Sequence, residues 1–379
     1  MRIGFNFHSA DDYISGVEYY SLGLLRSLLD IDKANKYIVF ANSPSLIASH
    51  IGTRDNLTVR DCSFLKSRLH RIIWEHSKLA RLAKKENLDI LHCPHYICPA
   101  VKSSADYVVT IHDTIAIDHP DWCKKSNAAY YRLFLGRSAK TASKIVAVSK
   151  FTAERIMQNF NVDRSKVEVI CPGIDTGIFN LYQDAEKQTQ VREKYNLPDN
   201  YILYCGNIEP KKNLLNLLKA FKLLRNNGTK HSLVISGQRN WKSKNIFDFL
   251  RTEFSPEEVI LTGYIDRADI GSVYKMADCL VLPSFCEGFG FPALEAFACG
   301  VPVAASCVGI LQEINKNAYT HLEPDNPEQI AESINRLLTD YKLRELQIKT
   351  ALTEVQKFNW SDCAAKTLAL YREVCQANG

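Results

Sequence analysis

Short apolar runs alternate with amphipathic segments along the chain, and this alternation constrains the fold more than any single motif. In the first half the strand-like runs are Arg2 to Phe7, Tyr37 to Ala41, Ile90 to His92, Tyr107 to Ile111, Lys144 to Val148 and Val167 to Ile170. The second half repeats the scheme with Tyr201 to Cys205, Ser232 to Ser236, Val259 to Thr262, Cys279 to Leu282 and Val301 to Ala305. Because strands separated by helices form parallel sheets covered on both faces, we predict an α/β protein with two doubly wound domains.

The length of 379 residues exceeds one ordinary hydrophobic core and favours two or three domains. We place the domain boundary between the turn at Pro172 to Asp175 and Pro198. The intervening stretch from Asn180 to Lys194 is polar, charged and poor in strand signals, as linkers between domains are. The predicted domains are therefore residues 1–178 and 195–358.

The composition is that of a globular protein, with 46% hydrophobic and 23% charged residues. The net charge of +5 is mild and identifies neither an acidic ligand nor a membrane. No apolar run approaches the length of a membrane-spanning helix, and Met1 to Phe7 enters a strand without the apolar core of a signal peptide, so we expect a cytoplasmic protein. No nucleic-acid-binding module is recognised, so nucleic acid is not an expected partner.

Twelve cysteines are scattered through apolar segments, and no C-x-x-C pair occurs. This pattern indicates small, reduced core residues and not a disulfide framework. The nearest candidate for a metal site combines His92 and His95 with Cys93 and Cys98, but this spacing fits no known zinc pattern. We therefore predict no metal site.

Two carboxylates, Glu287 and Glu295, bracket a glycine-rich turn that follows an apolar strand and opens a helix. Pro292 suits the first helical position, and Gly300 lies where a C-terminal cap belongs. Backbone N–H groups and the helix dipole can hold a diphosphate at such a helix start when no side chain blocks the approach. Taken singly, each glutamate is typical of a solvated surface. As a pair beside a diphosphate, they would accept hydrogen bonds from the hydroxyls of a sugar and of a ribose.

A second motif, Gly206 to Asn213, lies between the strand Tyr201 to Cys205 and an amphipathic helix. Lys211 and Lys212 come at the carboxyl end of that strand, where they add full positive charges to the helix dipole. A lysine pair alone is equally typical of a solvated loop. In this position it indicates a second contact to a phosphate.

The first domain carries its polar residues at the ends of predicted strands, where open α/β sheets bind ligands. His112 and Asp113 follow one strand, and the segment from His92 to Tyr96 follows another. A lone histidine at such a place is more often structural than functional. Gly16 lies after the first strand and on its own is as typical of an ordinary turn as of a binding loop.

Together these motifs resemble those of glycosyltransferase family 4, a group of retaining enzymes with the GT-B fold. The matching blocks are Glu287 to Glu295 with E-x7-E, Gly206 to Asn213 with G-x-x-x-P-[RK]-K-N, His112 to Trp122 with H-D…H-P-x-W of mannosyl- and related transferases, His92 to Tyr96 with H-S-P-H-Y, and Gly16 with G-G-[IV]. Cys93 replaces the usual serine, and Ser15 replaces one glycine of the usual pair. The resemblance runs in order from Gly16 to Gly300.

This resemblance implies two Rossmann-like domains facing a cleft. Residues 1–178 would bind the acceptor, residues 195–358 would bind the nucleotide sugar, and the C-terminal helix, residues 361–379, would pack back on the first domain. It also implies a glycosyltransferase that needs neither a cofactor nor a metal. The enzyme would transfer a hexose with retention from a nucleotide diphosphate sugar, with GDP-mannose as the leading donor, to a glycan or lipid-linked saccharide in polysaccharide or glycoconjugate biosynthesis. A GT-B sugar-nucleotide epimerase and a non-catalytic nucleotide-binding partner subunit are the alternatives.

The resemblance assigns roles to individual residues. Lys212 would neutralise the diphosphate, Glu287 would hold the sugar and Glu295 the ribose. His112 would reach the donor sugar from the other domain, so the catalytic residues are His112, Lys212 and Glu287. The donor-binding residues are Gly16, Asn207, Lys211, Lys212, Glu287, Gly288, Phe289, Gly290, Phe291 and Glu295. The acceptor side consists of His92, His95, Tyr96 and Asp113, with Asp113 also able to orient the ring of His112.

One departure from the family pattern concerns the positive charge at the diphosphate. Asn207 stands where many relatives have an arginine, so the second cation is either Lys211 or missing.

A basic segment from Lys66 to Lys85 matches no motif. Its positive residues alternate with Ile73 and Trp74, which is typical of a charged helix packed on its own domain and also of a helix that lies on an anionic membrane. The first interpretation is the more common. The second would place the protein at the inner face of a membrane.

Overall fold

The computed structural model describes residues 1–7, 14, 16–65 and 68–377, without the side chains of residues 68 and 69. The chain forms two compact units. The first contains Met1–Gly173 and the chain from Phe358 onward, and the second contains Ile174–Lys357. Each unit is built on its own parallel sheet with its own hydrophobic core.

The first unit is built on a seven-stranded parallel sheet with the order β3-β2-β1-β4-β5-β6-β7. Its strands are β1 (Arg2–Phe7), β2 (Lys36–Ala41), β3 (Leu57–Asp61), β4 (Ile90–Cys93), β5 (Asp106–Ile111), β6 (Lys144–Ala147) and β7 (Val167–Val169). Its α-helices up to that point are α1 (Gly16–Ile31), α2 (Pro44–Ile51), α3 (Arg68–Ile73), α4 (Leu79–Lys85), α5 (Ile115–Asp118), α6 (Lys125–Thr141) and α7 (Lys150–Phe160). A π-helical turn, Trp74–Lys78, joins α3 to α4, and Pro120–Trp122 and Arg164–Lys166 are 3₁₀ turns.

The second unit is built on a six-stranded parallel sheet with the order β10-β9-β8-β11-β12-β13. Its strands are β8 (Tyr201–Cys205), β9 (Ser232–Ser236), β10 (Val259–Gly263), β11 (Cys279–Leu282), β12 (Val303–Ala305) and β13 (Thr320–His321). Its α-helices are α8 (Ala185–Tyr195), α9 (Leu214–Asn226), α10 (Lys244–Glu253), α11 (Arg267–Lys275), α12 (Phe291–Ala298), α13 (Pro327–Thr339) and α14 (Tyr341–Val355). Pro210–Lys212, Gly309–Gln312 and Lys316–Ala318 are 3₁₀ turns. These two parallel sheets with helical connections confirm the predicted fold class.

The last helix, α15 (Trp360–Ala377), packs against α1 and belongs to the first unit. The ring of Trp360 makes edge contacts with Tyr19 at a centroid distance of 5.8 Å and lies 6.0 Å from Tyr20. Tyr371 reaches the centre of the sheet, where its hydroxyl forms a hydrogen bond with Nδ1 of His92. The two ends of the described chain are therefore joined within one core.

The polar stretch that suggested a linker forms the helix α8 instead. Its side chains are mostly exposed, and only Val191 is buried. Lys187 and Lys194 form ion pairs with Asp269 on α11, the second with an N–O distance of 2.7 Å. Because α8 buries only one side chain and is held on the second unit by ion pairs, its hydrophobic pattern is too weak to identify it from the sequence. The compact units divide at Gly173, ahead of this helix.

Both sheets have a point where the strand order changes direction. In the first sheet β1 is flanked by β2 and β4, and in the second β8 is flanked by β9 and β11. The connections that leave neighbouring strands at such a point go to opposite faces of the sheet, which opens a crevice at the carboxyl ends of the strands. The second-unit motifs lie in the loops after β8 and β11, and those of the first unit lie after β1, β4 and β5.

Candidate active site

Two loops of the second unit meet at this switch point. The lysine loop, Gly206–Asn213, follows β8, and the glutamate loop, Pro283–Gly290, follows β11. The N–H of Phe285 donates to the carbonyl of Lys211 at 2.8 Å, and Nδ2 of Asn213 donates to the carbonyl of Pro283 at 3.0 Å. These bonds fix the two loops to each other.

Lys212 and Glu287 form an ion pair between the two loops. Nζ of Lys212 lies 2.6 Å from Oε1 of Glu287, and the side chains are only 12% and 15% exposed. The hydroxyl of Ser284 donates to the same carboxylate oxygen at 2.7 Å. Burial tends to raise the pKa of Glu287, but the charges of Lys212 and Lys211 outweigh it and lower the pKa overall. Glu287 is therefore an ionised carboxylate that is already paired with a cation.

Glu295 lies on α12 and is buried between two groups from α11. The hydroxyl of Tyr274 donates to Oε2 at 2.9 Å, and a guanidinium nitrogen of Arg267 lies 3.5 Å from Oε1. Burial raises the pKa of Glu295, which Arg267 and Tyr274 offset only in part. Arg267 also lies over the ring of Phe179, 4.9 Å from its centroid.

The remaining lysine-loop residues lie close to this pair. Nζ of Lys211 is 3.5 Å from Oε1 of Glu209, and Lys211 contributes to the lowered pKa of Glu287. Asn207 contacts Tyr204 through its backbone, since its carbonyl accepts a hydrogen bond from the hydroxyl of Tyr204 at 3.3 Å. Lys211 is thus the second positive charge near the carboxylate of Glu287.

The glutamate loop ends at the first turn of α12. Gly290 precedes this helix with a φ of +106°, a conformation that favours glycine. Gly309 supports the loop from behind with a φ of +58°, and a Cβ there would lie 2.7 Å from the carbonyl oxygen of Phe289 and 3.1 Å from Cβ of Glu287. The rings of Phe289 and Phe291 pack edge to face at 5.0 Å. The predicted donor-binding residues from Glu287 to Phe291, including Gly288, thus form one turn, which Gly309 supports.

In the first unit, His112 follows β5 and is 8% exposed. Its Nε2 lies 2.8 Å from the carbonyl oxygen of Pro94. A carbonyl oxygen only accepts hydrogen bonds, so Nε2 carries the hydrogen and Nδ1 of the neutral ring is the acceptor. Burial lowers the pKa of His112 to about 4, which keeps the ring neutral at physiological pH. The rings of Tyr20 and Tyr96 pack against it at 4.8 and 5.2 Å.

Asp113 is placed by two hydrogen bonds. Its Oδ1 accepts from the N–H of Ile115 at 3.1 Å and its Oδ2 from the hydroxyl of Tyr96 at 3.0 Å. Tyr96 itself has a φ of +68°, an uncommon conformation for a residue with a side chain. The first unit therefore brings His112, Asp113 and Tyr96 together at the carboxyl ends of β4 and β5.

The two other histidines of the predicted acceptor side differ in their surroundings. His95 is partly exposed, with Nε2 3.0 Å from the hydroxyl of Ser21, and burial lowers its pKa to about 3. His92 is fully buried, and its two ring nitrogens bond to Tyr371 and, at 2.8 Å, to Thr110. The predicted contact of His92 with an acceptor is therefore wrong, because its side chain belongs to the core.

Gly16 is the first residue of α1 and is exposed. Its neighbour Ser15, which replaces a glycine of the family pattern, lies outside the described residues.

Comparison with known proteins gives matches along both units. Residues 14–177 match the family described as "Glycosyltransferase Family 4", and residues 186–353 match "Glycosyl transferases group 1". The chain is 30% identical to O-antigen chain mannosyltransferase B of Escherichia coli over 285 residues, which cover 75% of this chain and 74% of the relative. It belongs to glycosyltransferase family 4. This glycosyltransferase is also 25% identical to O-antigen chain mannosyltransferase RfbU of Salmonella typhimurium over 85% of its own length and 90% of the relative.

Solved structures share the fold of this glycosyltransferase. HepE of Anabaena, crystallised with UDP and glucose, aligns with a TM-score of 0.77 at 18% identity over 97% of this chain and 99% of that protein. WaaG, described as a glycosyltransferase involved in lipopolysaccharide biosynthesis, aligns with a TM-score of 0.71 at 16% identity, with 97% and 99% coverage. Such similarity establishes the GT-B fold. In the part of the glycosyltransferase that is described, no helix is both long and apolar enough to span a membrane.

Four contacts of the site were not identified from the sequence of this glycosyltransferase. They involve Ser284, which bonds to Glu287, Arg267 and Tyr274, which bond to Glu295, and Gly309, which supports the glutamate loop. Ser284 lies three residues before Glu287, and its hydroxyl is a local signal in the sequence. The other three are brought to the site by the tertiary fold and leave no local signal.

Proposed function

We propose that this glycosyltransferase transfers mannose from GDP-mannose, with retention of the anomeric configuration, to a glycan or lipid-linked saccharide acceptor. The observation that carries this proposal is the ion pair of Lys212 and Glu287 at the switch point of the second sheet. It holds a cation suited to a diphosphate next to a carboxylate suited to a sugar hydroxyl. The choice of mannose is supported by relatives that are O-antigen mannosyltransferases, and a nucleotide donor is supported by HepE, which was crystallised with UDP and glucose.

Each half of the ion pair would exchange its partner when the donor binds. A diphosphate oxygen would take the place of Glu287 at Lys212, and a sugar hydroxyl would donate to the carboxylate that Lys212 leaves. Both charges would therefore gain a new partner. A charge left buried without a partner would cost several kcal/mol. A nucleoside diphosphate without its sugar would satisfy only the lysine.

The proposed catalysis is electrostatic. Lys212, assisted by Lys211 and by the N–H groups at the start of α12, would stabilise the negative charge that develops on the leaving diphosphate. Glu295, one helical turn after Phe291 on α12, would hold the ribose. These groups supply the charge that a divalent ion supplies in other transferases, so we propose a reaction that needs no metal. His112 offers a neutral Nδ1 as an acceptor for a sugar hydroxyl.

The acceptor is proposed to bind to the first unit, near Asp113, Tyr96 and His95. A hydroxyl of the acceptor would be the nucleophile. For retention, we propose that a phosphate oxygen of the donor accepts the proton of this hydroxyl, because no side chain of the described site stands out as a nucleophile.

We also propose that the basic surface of the helical segment from α3 to α4 contacts anionic lipid. Lys78, Arg81 and Lys85 are exposed along one face, and Ile73 is 51% exposed. Trp74, in contrast, is 2% exposed and packs against Phe40, so its ring lies in the core and not on this basic surface. Lys66 and Ser67 lie outside the described residues.

The proposed function is tested by incubating the full chain with GDP-mannose, GDP-fucose, UDP-glucose and UDP-galactose, each with and without EDTA. We expect slow release of GDP from GDP-mannose, unchanged by EDTA, and faster release when a mannoside acceptor is added. The anomeric proton of the product, followed by NMR, should show retention. Interconversion of sugars without nucleotide release would identify an epimerase, and binding without turnover would identify a partner subunit.

A further inference from the structure

The helical segment from α3 to α4 contains a π-helical turn that places an acidic side chain in the interior. In this turn, Trp74–Lys78, the N–H of Leu79 donates to the carbonyl of Trp74. Single π-helical turns are rare and occur frequently at functional sites. Two successive side chains point inward here, since Trp74 is 2% and Glu75 is 7% exposed. Burial is expected for the apolar ring of Trp74. For the carboxylate of Glu75 it requires a separate explanation.

Glu75 is buried with little compensation. Its Oε2 accepts a hydrogen bond of 3.1 Å from the hydroxyl of Tyr130 on α6. Within residues 1–7, 14, 16–65 and 68–377, no ion pair neutralises Glu75, although Arg71 attracts it from one turn earlier. Burial raises the pKa of Glu75 to about 7, which Arg71 and Tyr130 offset only in part. When Glu75 is ionised, its carboxylate oxygens can accept further hydrogen bonds.

The next residue of the turn, His76, also has unused polar atoms. Both of its ring nitrogens are buried, and neither has a hydrogen-bond partner among the described groups. Its ring stacks on Phe134 of α6 with a centroid distance of 4.1 Å and an interplanar angle of 22°. Tyr130 and Phe134 are one helical turn apart, so one face of α6 contacts both residues of the π-helical turn. Buried polar groups are nearly always satisfied in proteins, and those of this turn call for a polar partner.

A row of aromatic rings connects this turn to the predicted acceptor side. The rings of Tyr130 and Tyr131 lie 5.4 Å apart, and those of Tyr131 and Tyr96 lie 5.2 Å apart. Tyr96 bonds to Asp113 at 3.0 Å. The row therefore has a carboxylate at each end, Glu75 and Asp113. Aromatic faces with a few well-placed acceptors are the surroundings that suit a saccharide, which combines apolar C–H faces with hydroxyl donors.

We propose that Glu75 binds the acceptor, accepting a hydrogen bond from a hydroxyl of an acceptor saccharide that lies along this aromatic row. Tyr130 holds the carboxylate in position through its hydroxyl. This assignment rests on the proposed function, since it names the substrate group that the first unit recognises. In this assignment Glu75 contributes to acceptor affinity and selectivity and takes no part in the cleavage of the donor.

The first test separates acceptor recognition from donor chemistry. The parent and the Glu75→Gln variant are assayed with GDP-mannose for hydrolysis without acceptor and for transfer to methyl α-mannoside. We expect a KM for the mannoside about tenfold higher in Glu75→Gln, the scale of one charged hydrogen bond, with donor hydrolysis within about twofold of the parent. Tyr130→Phe should raise the same KM by a smaller factor. Glu154→Gln, which changes an exposed glutamate on α7, is the matched control.

The outcomes distinguish this inference from the proposed function. If the parent hydrolyses GDP-mannose and both enzymes have the same KM for the mannoside, Glu75 does not bind the acceptor. Failure of the parent to use any nucleotide sugar would contradict the proposed function instead, and the inference is then judged by saturation-transfer NMR with methyl α-mannoside alone. Contact in the parent that is lost in Glu75→Gln supports it, and no contact in the parent overturns it.

A stability measurement shows whether Glu75 is instead a structural group. Arg71, Tyr130 and the thiol of Cys93 are the titratable or charged groups that interact with it. Because its folded-state pKa of about 7 exceeds the ordinary value of 4.5, ionisation of Glu75 disfavours folding as the pH rises from 4.5 to 7, and the cost is complete above pH 7. Glu75→Gln should therefore raise the Tm by a few degrees at pH 8 and leave it unchanged below pH 4.5. A Tm that falls at pH 8 would show that Glu75 stabilises the fold, and would overturn its assignment as a binding residue.

Discussion

Lys212 and Glu287 form an ion pair with an N–O distance of 2.6 Å. A donor that offers both a diphosphate and a hydroxyl can replace this contact on both sides. Glu295 is likewise paired with groups of the protein, Arg267 and Tyr274. The site is therefore arranged for exchange of partners, and single substitutions should separate the roles of these groups.

Replacing Lys212 by Ala should lower kcat/KM by about 10² or more, because one charged donor to the developing oxyanion is lost. The change also leaves the carboxylate of Glu287 without its cation, so donor affinity should fall as well. Lys211→Ala is the matched control, and it should cost less because Lys211 lies farther from the carboxylate. Steady-state kinetics with GDP-mannose measures both, and normal turnover by Lys212→Ala would exclude the lysine loop from the mechanism.

The two glutamates should respond differently to the loss of the sugar from the ligand. Glu295→Ala is expected to weaken binding of GDP and of GDP-mannose alike, by about tenfold or more, since both ligands carry the ribose. Glu287→Ala should weaken binding of GDP-mannose far more than that of GDP. Calorimetric titration of both variants with both ligands measures this difference. Equal losses for GDP would refute the separate assignment of sugar and ribose.

Sequence motifs identified the residues at the ends of the strands but not their partners. Glu287, Glu295 and Lys212 could be predicted because their spacing relative to a strand and a helix start has a chemical meaning. Arg267 lies within an ordinary amphipathic helix, and Glu75 within a basic segment that suggested a surface. Their contacts depend on which helices pack together, and this information is not local in the sequence.

At the scale of elements, burial decides which strands the sequence reveals. The interior strands are apolar runs, and all of them were predicted. β3 was missed because it is an edge strand with four of its five residues exposed, and β13 because it contains only two residues. α8 was missed for the related reason that it buries one side chain. An element that contributes little to a core carries little hydrophobic pattern.

The glutamate loop depends on the turn that supports it. In Gly309→Ala the new Cβ would lie 2.7 Å from the carbonyl oxygen of Phe289, so the loop or its support must move. We expect kcat/KM for GDP-mannose to fall by about tenfold, since small displacements of a binding loop are costly for catalysis. Gly228→Ala is the matched control, because its φ is also positive, at +88°, but no atom lies within 4 Å of the new Cβ.

Both Gly→Ala variants should lose stability from backbone strain, by about 1 kcal/mol. Only Gly309→Ala should also lose activity. Equal kinetics of the two variants, at matched folded fractions measured by circular dichroism, would show that the turn at Gly309 does not position the glutamate loop.

At the scale of the whole molecule, one chain contains two sheets with the same organisation, and each has polar loops at its own switch point. The loops of the second unit carry Lys211, Lys212 and Glu287, and the adjoining helix α12 carries Glu295, a set suited to a nucleotide sugar. Those of the first unit carry the neutral histidines His95 and His112 together with Tyr96 and Asp113, which suit an uncharged saccharide. The chemical difference between the two sets of loops supports the proposal that the donor and the acceptor bind to different units.

The membrane proposal also concerns the whole molecule, since it determines where the enzyme meets a lipid-linked acceptor. Lys78, Arg81 and Lys85 are replaced together by Ser, and sedimentation with vesicles of phosphatidylcholine with and without phosphatidylglycerol is measured. The parent should bind only the anionic vesicles, and less strongly as salt is raised, because the attraction is screened. Each basic residue contributes about 1 kcal/mol, so the triple variant should partition about 10²-fold less. Turnover of a soluble mannoside should be unchanged.

In the control variant, Ser replaces Lys219, Lys342 and Lys349, which are exposed on α9 and α14. This removes the same amount of positive charge from the second unit. It should sediment nearly like the parent, because the attraction depends on a local cluster and not on net charge alone. If both triple variants lose binding equally, the interaction is a non-specific effect of net charge. If the parent does not bind anionic vesicles, the face of α4 is an ordinary solvated surface and lipid contact must be excluded from the proposed function.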